Sequence, residues 1–236
     1  MTFDLVPIVP VIDLQDGQVV HAVRGERARY RPIASRLAAG SDPVAIARAL
    51  QRHTGARCLY VADLDALQGG AAQAGVLAEL CAALPAHLQW WIDAGFADRS
   101  AARALLERLG VHGARVVPVY ASESLPSRAA FEACFDPAGR TPALLSLDAR
   151  GAERLDRAGC WDAPECWPER VIVMTLDRVG ADAGPDLDVI AELRQRSPRT
   201  RFVGAGGIRH AGDLRAAKQA GADAWLVASA LHDGRL

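Results

Sequence analysis

Two aspartates hold matching positions in the two halves of this chain, and they could act together as an acid and a base. Asp13 closes the apolar run that starts at Ile8, and Asp148 closes the run that starts at Ala143. Two carboxyl groups can act as general acid and general base when their surroundings separate their pKa values. Alternatively, each aspartate only caps the loop after its strand. The matched pair favours the catalytic interpretation.

The two aspartates belong to a longer internal repeat. In each half, three apolar segments end in acidic or small residues, in the same order. These segments end at Asp13, Val61–Asp65 and Ile92–Phe96 in the first half, and at Asp148, Val173–Asp177 and Val203–Ile208 in the second. A repeat in fixed order indicates duplicated supersecondary units. It therefore predicts an enzyme in which two acids face each other.

The elements that must position these residues alternate between strand and helix. The predicted strands are 8–14, 58–64, 89–93, 115–120, 143–148, 171–176, 200–204 and 224–228. The predicted helices are 42–54, 75–84, 100–109, 127–135, 186–195 and 211–220. Near-continuous apolar strands are typical of parallel sheets covered by helices. Residues 1–236 are therefore predicted to form a single α/β domain, a (β/α)8 TIM barrel. An open doubly wound sheet is the alternative, but it accounts for neither eight strands nor the repeat.

One unit of the repeat is short. Asp65 lies 52 residues after Asp13, whereas Asp177 lies only 29 residues after Asp148. The remaining segment, 150–170, is also interrupted by glycine and proline, which leaves little room for a helix. The fifth outer helix is therefore predicted to be missing or reduced to a turn.

A missing helix would expose barrel strands, so another group must cover them. Trp161 and Trp167 lie in the shortened segment and are well placed for this. They could act within the chain or across a contact between two copies. A homodimer through this region is therefore one possibility.

A second site is predicted after strands seven and eight. Gly206 and Gly207 follow strand seven, and Ser229 follows strand eight. Glycines let backbone N–H groups approach an anion, and these two loops form a frequent phosphate site in barrels. The alternative is that the glycines serve packing alone. The pattern favours a small phosphorylated metabolite as the ligand.

The composition argues against several other partners. The chain has 27 basic and 28 acidic side chains and a formal charge of −1, which disfavours nucleic-acid or membrane-surface binding. No apolar run approaches the roughly 20 residues that span a bilayer. The first residues lack the basic region of a signal peptide, so the cytoplasm is the expected location.

The residue types also argue against a metal or an organic cofactor. The five cysteines form no C-x-x-C pair, and the six histidines show no metal-ligand spacing. Lys218, the only lysine, falls in a helix predicted to lie outside the barrel. Schiff-base chemistry needs a lysine within the site. We therefore expect no metal and no cofactor.

Several motifs resemble one known family over essentially the whole chain. They are Asp13, Asp16-Gly17, Val23-Arg24-Gly25, Asp42-Pro43, Asp63-Leu64-Asp65-Ala66, Asp148-Ala149-Arg150-Gly151, Gly184-Pro185 and Gly206-Gly207-Ile208. The family is that of the histidine-biosynthesis isomerase, which converts a phosphoribosylformimino-aminoimidazole carboxamide ribotide from aminoaldose to aminoketose, and its sister cyclase. The cyclase would carry a lysine in its early loop, which this chain lacks.

The resemblance implies roles for individual residues. Asp13 would be the general base that removes the proton next to the imine, and Asp148 would be the general acid that opens the ribose ring. This Amadori rearrangement needs no cofactor. The family's substrate carries a phosphate at each end, and Arg24, Gly184 and Gly95 fall in the matching binding segments.

The chain departs from the family pattern in the first half. Where the family has a run of glycines after strand three, this chain has Asp93–Asp98, and Gly95 is the one glycine left. Where the family has I-G-T after strand four, this chain has Val119-Tyr120-Ala121. Asp93 and Asp98 would repel a phosphate by several kcal/mol if poorly screened.

The second half also departs after strand six. The family's catalytic threonine aligns with Met174, and its aspartate partner aligns with Val179. Thr175 and Asp177 are further candidates nearby, although Thr175 should face the other way along the strand. Trp161 could replace a family tryptophan.

Three hypotheses follow. The first is a sugar-phosphate isomerase of this family. The second is a divergent relative that acts on another, singly phosphorylated metabolite in a different pathway, with pterin-linked one-carbon metabolism as one context. The third is a non-catalytic barrel subunit. The altered first half favours the second hypothesis over the strict histidine-pathway reaction, and the two retained aspartates argue against the third.

Overall fold

Eight parallel strands close into a barrel in the computed structural model, which describes residues 5–135 and 142–236. We number these strands β1 to β8. They are β1 Ile8–Gln15, β2 Cys58–Asp63, β3 Gln89–Asp93, β4 Val116–Ala121, β5 Leu144–Arg150, β6 Arg170–Thr175, β7 Arg201–Ala205 and β8 Ala224–Val227. Neighbours in the chain are neighbours in the sheet, and β1 pairs with β8 to close it. The predicted (β/α)8 barrel is confirmed.

Helices cover the outside of the barrel. They are α1 Pro43–Thr54, α2 Ala74–Ala83, α3 Arg99–Arg108, α4 Arg128–Cys134, α5 Leu187–Arg196 and α6 Ala211–Gln219. Three of them begin at a side-chain cap, because Asp42, Asp98 and Ser127 each accept a hydrogen bond from a backbone N–H three residues later. These caps explain why the predicted helix starts lie within one residue of the observed ones.

The structure adds short elements that the sequence reading did not predict. Gln18–His21 pairs antiparallel with the end of β1 around Asp16 and Gly17, whose φ angles are 48° and 73°. Positive φ at both central residues is what a tight hairpin turn requires, and Asp-Gly is a typical sequence for it. The other additions are the strands Arg31–Pro32 and Glu153–Arg154, the short helices Leu64–Leu67 and Ser229–His232, and 3-10 turns at Arg27–Arg29, Gly110–Arg115, Pro164–Cys166 and Leu176–Arg178.

No α-helix lies between β5 and β6. The segment holds only the short strand Glu153–Arg154 and the 3-10 turn Pro164–Cys166, so the missing fifth helix is as predicted. Trp161 is only 3% exposed, and the Trp167 ring packs edge-on against Phe202 of β7 at 5.9 Å. The chain thus supplies its own cover here. A homodimer through this region stays a prediction.

Side chains fill the barrel interior toward the amino ends of the strands, and the interior is open at their carboxyl ends. Its inward-facing layer includes Val9, Tyr60, Trp91, Val117, Leu144, Ile172, Val203 and Leu226. A larger apolar cluster fills the space between the strands and the helices. Lys218 is exposed on α6, as predicted for an outer helix. Within 5–135 and 142–236, no helix has the length and apolarity needed to cross a membrane.

Candidate active site

A cavity of about 480 Å³ opens where the carboxyl ends of the barrel strands meet. Its acidic lining residues are Asp13 from β1, Asp93 from β3 and Asp148 from β5, with Glu123 after β4 and Asp182 after β6. The loop after β7 contributes Gly206 and Gly207, and Ser229 follows β8. The structure therefore brings together the two predicted acids and the predicted glycine loop.

Strand register places the carboxylates at one level of the barrel. Asp13 pairs with Ala62 of β2, and Ala62 pairs with Asp93 of β3. Since neighbouring strands lie about 4.8 Å apart, the Cα atoms of Asp13 and Asp93 are about 10 Å apart. Asp148 lies on β5, across the barrel from β1. Acids thus surround the cavity.

Asp13 is a partly exposed residue that lines the cavity, and its carboxyl group is largely removed from water. Burial raises the pKa of Asp13 from 3.8 to about 7, because the charged form is poorly solvated there. A carboxyl group with that pKa gains and loses a proton near neutral pH. This suits a general base.

Asp148 is more deeply buried, with 4% of its surface exposed. Burial raises its pKa well above the ordinary value, and the negative charges of Glu123 and Asp93 add to the rise. Ser146 Oγ opposes the rise by donating to Oδ1 at 2.7 Å. The net rise favours the protonated form of Asp148, which suits a general acid.

Two buried serines fix the position of Asp148, and the sequence reading missed both. Ser146 lies two residues earlier on β5 and therefore shares its inward face. Ser122 Oγ accepts the Asp148 backbone N–H at 2.9 Å and lies 3.2 Å from its Oδ2. The Ser-x-Asp spacing on β5 was the available signal for Ser146. Ser122 depends on the pairing of β4 with β5 and gave no local signal.

Asp93 is a third carboxyl group in the cavity. The Tyr60 hydroxyl donates to Oδ2 at 3.2 Å, and the Gly95 N–H donates to Oδ1 at 3.1 Å. Burial raises the pKa of Asp93 to about 7, although these two hydrogen bonds oppose the rise. Tyr60 was also missed, because an inward tyrosine on β2 looks like core until its partner is known.

The loop after β7 brings backbone close to the cavity. Gly206 and Gly207 have φ angles of 84° and 82°, which strongly favour glycine. A Cβ on Gly207 would lie 2.2 Å from the Gly184 carbonyl oxygen, so Gly184 supports this loop from behind. The Ser229 hydroxyl forms a hydrogen bond with His21 Nε2 at 3.1 Å. His21 on the hairpin was not anticipated.

Other candidate residues lie beside the cavity. Arg24 and Asp177 line a neighbouring cleft of about 380 Å³ together with Gly25, Glu26 and Arg150. The Asp177 carboxylate also accepts the Gly151 N–H, which ties the loops after β5 and β6 together. This cleft adjoins the main cavity, because Gly25 and Arg150 line both.

Three more candidates do not line the main cavity. Gly95 turns its N–H to Asp93. Thr175 is 6% exposed and donates to Asp186 at 3.4 Å, while Met174 faces the cavity, as strand alternation predicts. Trp161 lies in the core.

Asp98 is also outside the cavity, contrary to the expectation that it adjoins a phosphate cradle. Its carboxylate accepts the Ala101 N–H at 2.8 Å and caps α3. The expectation failed because a strand-to-helix loop carries its last residues away from the barrel mouth.

The cavity offers hydrogen-bonding and acid–base groups. In the described ranges, no three His, Cys, Asp or Glu side chains are grouped to hold a metal ion. The sole lysine, Lys218, is on α6 outside the barrel.

Known proteins resemble this chain along nearly its full length. The family described as "Histidine biosynthesis protein" matches residues 7–236. An uncharacterised protein of Methanocaldococcus jannaschii is 26% identical over 236 residues, covering 97% of this chain and 94% of the relative.

Two relatives carry an enzyme name, 1-(5-phosphoribosyl)-5-((5-phosphoribosylamino)methylideneamino) imidazole-4-carboxamide isomerase, shortened below to ribotide isomerase. The one from Halobacterium salinarum is 30% identical over 246 residues, covering 99% of this chain and 95% of the relative. The other, from Thermus thermophilus, is 29% identical over 240 residues, covering 97% and 95%. Since the family match spans residues 7–236, this chain belongs to the histidine biosynthesis protein family.

Proposed function

We propose that this protein is an acid–base isomerase that interconverts the aldose and ketose forms of a phosphorylated aminosugar. One observation carries the proposal. Asp13 and Asp148 enter one cavity from opposite sides of the barrel, and burial raises the pKa of each carboxyl group above its ordinary value. Two such carboxyl groups that face one cavity can divide the roles of general base and general acid between them.

The proton transfers of such an isomerisation fit this pair. The Asp148 carboxyl group would protonate the ring oxygen, so that the carbon–oxygen bond breaks and an iminium forms. The Asp13 carboxylate would then remove the proton from the neighbouring carbon and return it to the first carbon. The hydroxyl proton lost as the ketone forms restores Asp148. No electrons leave the substrate, so the two acids suffice.

The glycine loop supports a phosphorylated substrate. Gly206 and Gly207 line the cavity together with Ser229, and all three follow β7 or β8. Loops at these two positions commonly hold a phosphoryl group in barrels of this type. Such an anchor would hold the substrate across the cavity between the two acids.

Turnover of the relatives' substrate tests the proposal. Purified protein would be incubated with the ribotide in deuterated buffer, and the ketose and its deuterium content would be followed by NMR. We expect ketose formation that Asp13→Asn or Asp148→Asn abolishes and Asp98→Asn leaves unchanged. If well-folded protein catalyses neither isomerisation nor deuterium exchange with the ribotide or its singly phosphorylated forms, the proposal is wrong.

A second candidate is an isomerase of another phosphorylated metabolite, outside the histidine pathway. The observation that favours it is Asp93, which lines the cavity where the family has glycines. Complementation of a histidine auxotroph that lacks the isomerase separates the two candidates. Growth supports the histidine-pathway reaction. No growth at good expression, combined with turnover of a singly phosphorylated aminosugar, supports the second candidate.

A further inference from the structure

We infer that Asp93 determines which group the substrate can carry at the end opposite its anchoring phosphoryl group. Asp93 excludes a second phosphoryl group at that end and favours an uncharged or cationic hydrogen-bond donor. This inference rests on the proposed function. We call the part of the cavity lined by Tyr60, Ala62, Asp93 and Glu123 the first-half end. The part lined by Gly206, Gly207 and Ser229 is the second-half end.

The two ends face each other across the barrel. Asp93 is the last residue of β3, and Gly206 directly follows β7. With eight strands in sequential order, β3 and β7 are four strands apart, which is the greatest separation the barrel allows. A substrate anchored by a phosphoryl group at the second-half end therefore presents its other end to Asp93.

The Asp93 carboxylate is held facing the cavity with acceptor capacity to spare. It is 5% exposed, and among the residues that the structure describes its two hydrogen-bond partners are the Tyr60 hydroxyl and the Gly95 N–H. A carboxylate has about four lone-pair sites, so two remain for a ligand. At pH 8, above the Asp93 pKa of about 7, an incoming O–H or N–H group can use them, whereas the oxygens of a phosphoryl dianion cannot.

Three backbone N–H groups at the first-half end already point at acceptors within the protein. The Gly95 N–H donates to Asp93, and the Ser122 N–H donates to the Ser146 carbonyl oxygen at 2.8 Å. The Glu123 N–H lies 3.5 Å from Asp148 Oδ2. These N–H groups of the loops after β3 and β4 therefore point at acceptors within the protein and not at a ligand in the cavity.

Charge adds to this difference. Among the described residues, the first half contributes the acidic residues Asp13, Asp93 and Glu123 to the cavity lining and no lining cation. The second half contributes Asp148 and Asp182, but also the cations Arg150, at the end of β5, and Arg178, after β6. Asp63 is near as well, but it is occupied by the Gln73 backbone N–H at 2.7 Å. A second phosphoryl group would therefore meet negative charge, whereas an amine would be attracted.

Equilibrium binding tests the inference. The ligands are reduced analogues of the ribotide that cannot isomerise, with both phosphates or with either one removed, measured by titration calorimetry at pH 8. We expect the wild type to bind one singly phosphorylated form at least tenfold more tightly than the doubly phosphorylated form. Replacing the free hydroxyl of that form by an amine should tighten binding at least threefold.

Asp93→Asn keeps the shape and removes the charge. We expect this variant to bind the doubly phosphorylated ligand at least tenfold more tightly than the wild type does. Its affinity for the preferred singly phosphorylated form should change less than threefold. The increase in affinity that the amine gives in the wild type should be lost. Asp98→Asn is the matched control, because this carboxylate lies on the same loop but caps α3 outside the cavity. It should change none of these affinities.

Three results would overturn the inference. One is a wild type that binds the doubly phosphorylated ligand at least as tightly as both other forms. Another is an equal loss of all three affinities in Asp93→Asn, which would mean that Asp93 only shapes its loop. If no analogue binds, both the inference and the proposed function are wrong, whereas the first two results leave the proposed function intact.

Discussion

The two halves of this barrel have kept the same carboxylates at their strand ends and have diverged in their loops. Asp13 on β1 and Asp148 on β5 both line the cavity. Beyond them, the second half presents Gly206 and Gly207, while the matching place in the first half presents Asp93. Asp93 is the last residue of β3, so its side chain can differ from the glycines of the matching segment without a change in strand pairing. The difference between the halves therefore lies at segments that line the cavity.

The glycines of the two halves show the same contrast in their packing. A Cβ on Gly207 would lie 2.2 Å from a backbone oxygen, whereas a Cβ on Gly95 would come no closer than 3.3 Å, to Leu67 Cα. The second-half loop thus needs glycine for space as well as for φ. The first-half loop needs glycine mainly for φ, because a neighbour at 3.3 Å would have to move by only a few tenths of an ångström.

The largest expected effect is the loss of kcat when either of the two strand-end acids is neutralised. Asp13→Asn and Asp148→Asn should each lower kcat by about 10³-fold, since general acid–base groups contribute about 10² to 10⁴. NMR with the preferred substrate would give the rates. A rate within threefold of wild type in either variant would show that the two strand-end acids are not equivalent partners. Asp98→Asn again serves as the control.

Alanine at the two loop glycines compares the two ends of the cavity directly. Gly207→Ala should raise KM about 100-fold and lower Tm, because its Cβ collides with Gly184 backbone and its φ of 82° disfavours alanine. Gly95→Ala shares the unfavourable φ but has more room, so it should lower Tm with less than a fivefold change in KM. Steady-state kinetics and thermal melts would measure both. Similar KM values in the two variants would remove the proposed difference between the ends.

Neutralising Asp13 should stabilise the folded state while it abolishes activity. A pKa raised from 3.8 to about 7 costs the folded protein about 4 kcal/mol at pH 8. Because the side chain is partly exposed, we expect Asp13→Asn to gain about 2 kcal/mol in the free energy of unfolding.

The sign of this effect sets its pH dependence. Between pH 4 and 7 the folded state binds more protons at Asp13 than the unfolded state does, so the wild type loses stability as pH rises. The advantage of Asp13→Asn should therefore widen from pH 4 to pH 8. Urea unfolding at the two pH values would measure it. A wild type that is more stable than the variant at pH 8 would indicate a structural role for Asp13.

The sequence predicted the scaffold, and it placed Asp13 and Asp148 at the strand ends where the structure has them, because both depend on local patterns. The eight β–α units were predicted from continuous apolar strands, helix caps and the matched strand ends. The missing helix was predicted from the shortened segment between β5 and β6. The Tyr60–Asp93 hydrogen bond was not predicted, since it depends on how β2 and β3 pair. Asp98 was misplaced for a related reason: the sequence places it in a loop, but only the structure shows that it caps α3.

The pH dependence of the rate distinguishes the acids of the two halves. The wild-type kcat/KM should fall about tenfold per pH unit below pH 7, because burial raises the pKa of Asp13 to about 7 and the general base gains a proton there. Asp93 has a similar pKa, so Asp93→Asn is the necessary comparison. The acidic limb should persist in that variant. If the decrease in kcat/KM at low pH disappears in Asp93→Asn, the decrease reports the protonation of Asp93 and not of Asp13.

The smallest expected effect concerns neighbouring residues of β6 in the second half. Thr175 faces away from the cavity, and its hydroxyl makes only a 3.4 Å hydrogen bond to Asp186. Thr175→Val keeps the shape of the side chain, so it should change kcat/KM less than twofold and stability by about 1 kcal/mol. Met174→Ala, on the same strand but facing the cavity, should raise KM more than Thr175→Val does. A tenfold loss of kcat in Thr175→Val would mean that β6 presents its hydroxyl to the substrate, in a register that differs from the observed pairing with β5 and β7.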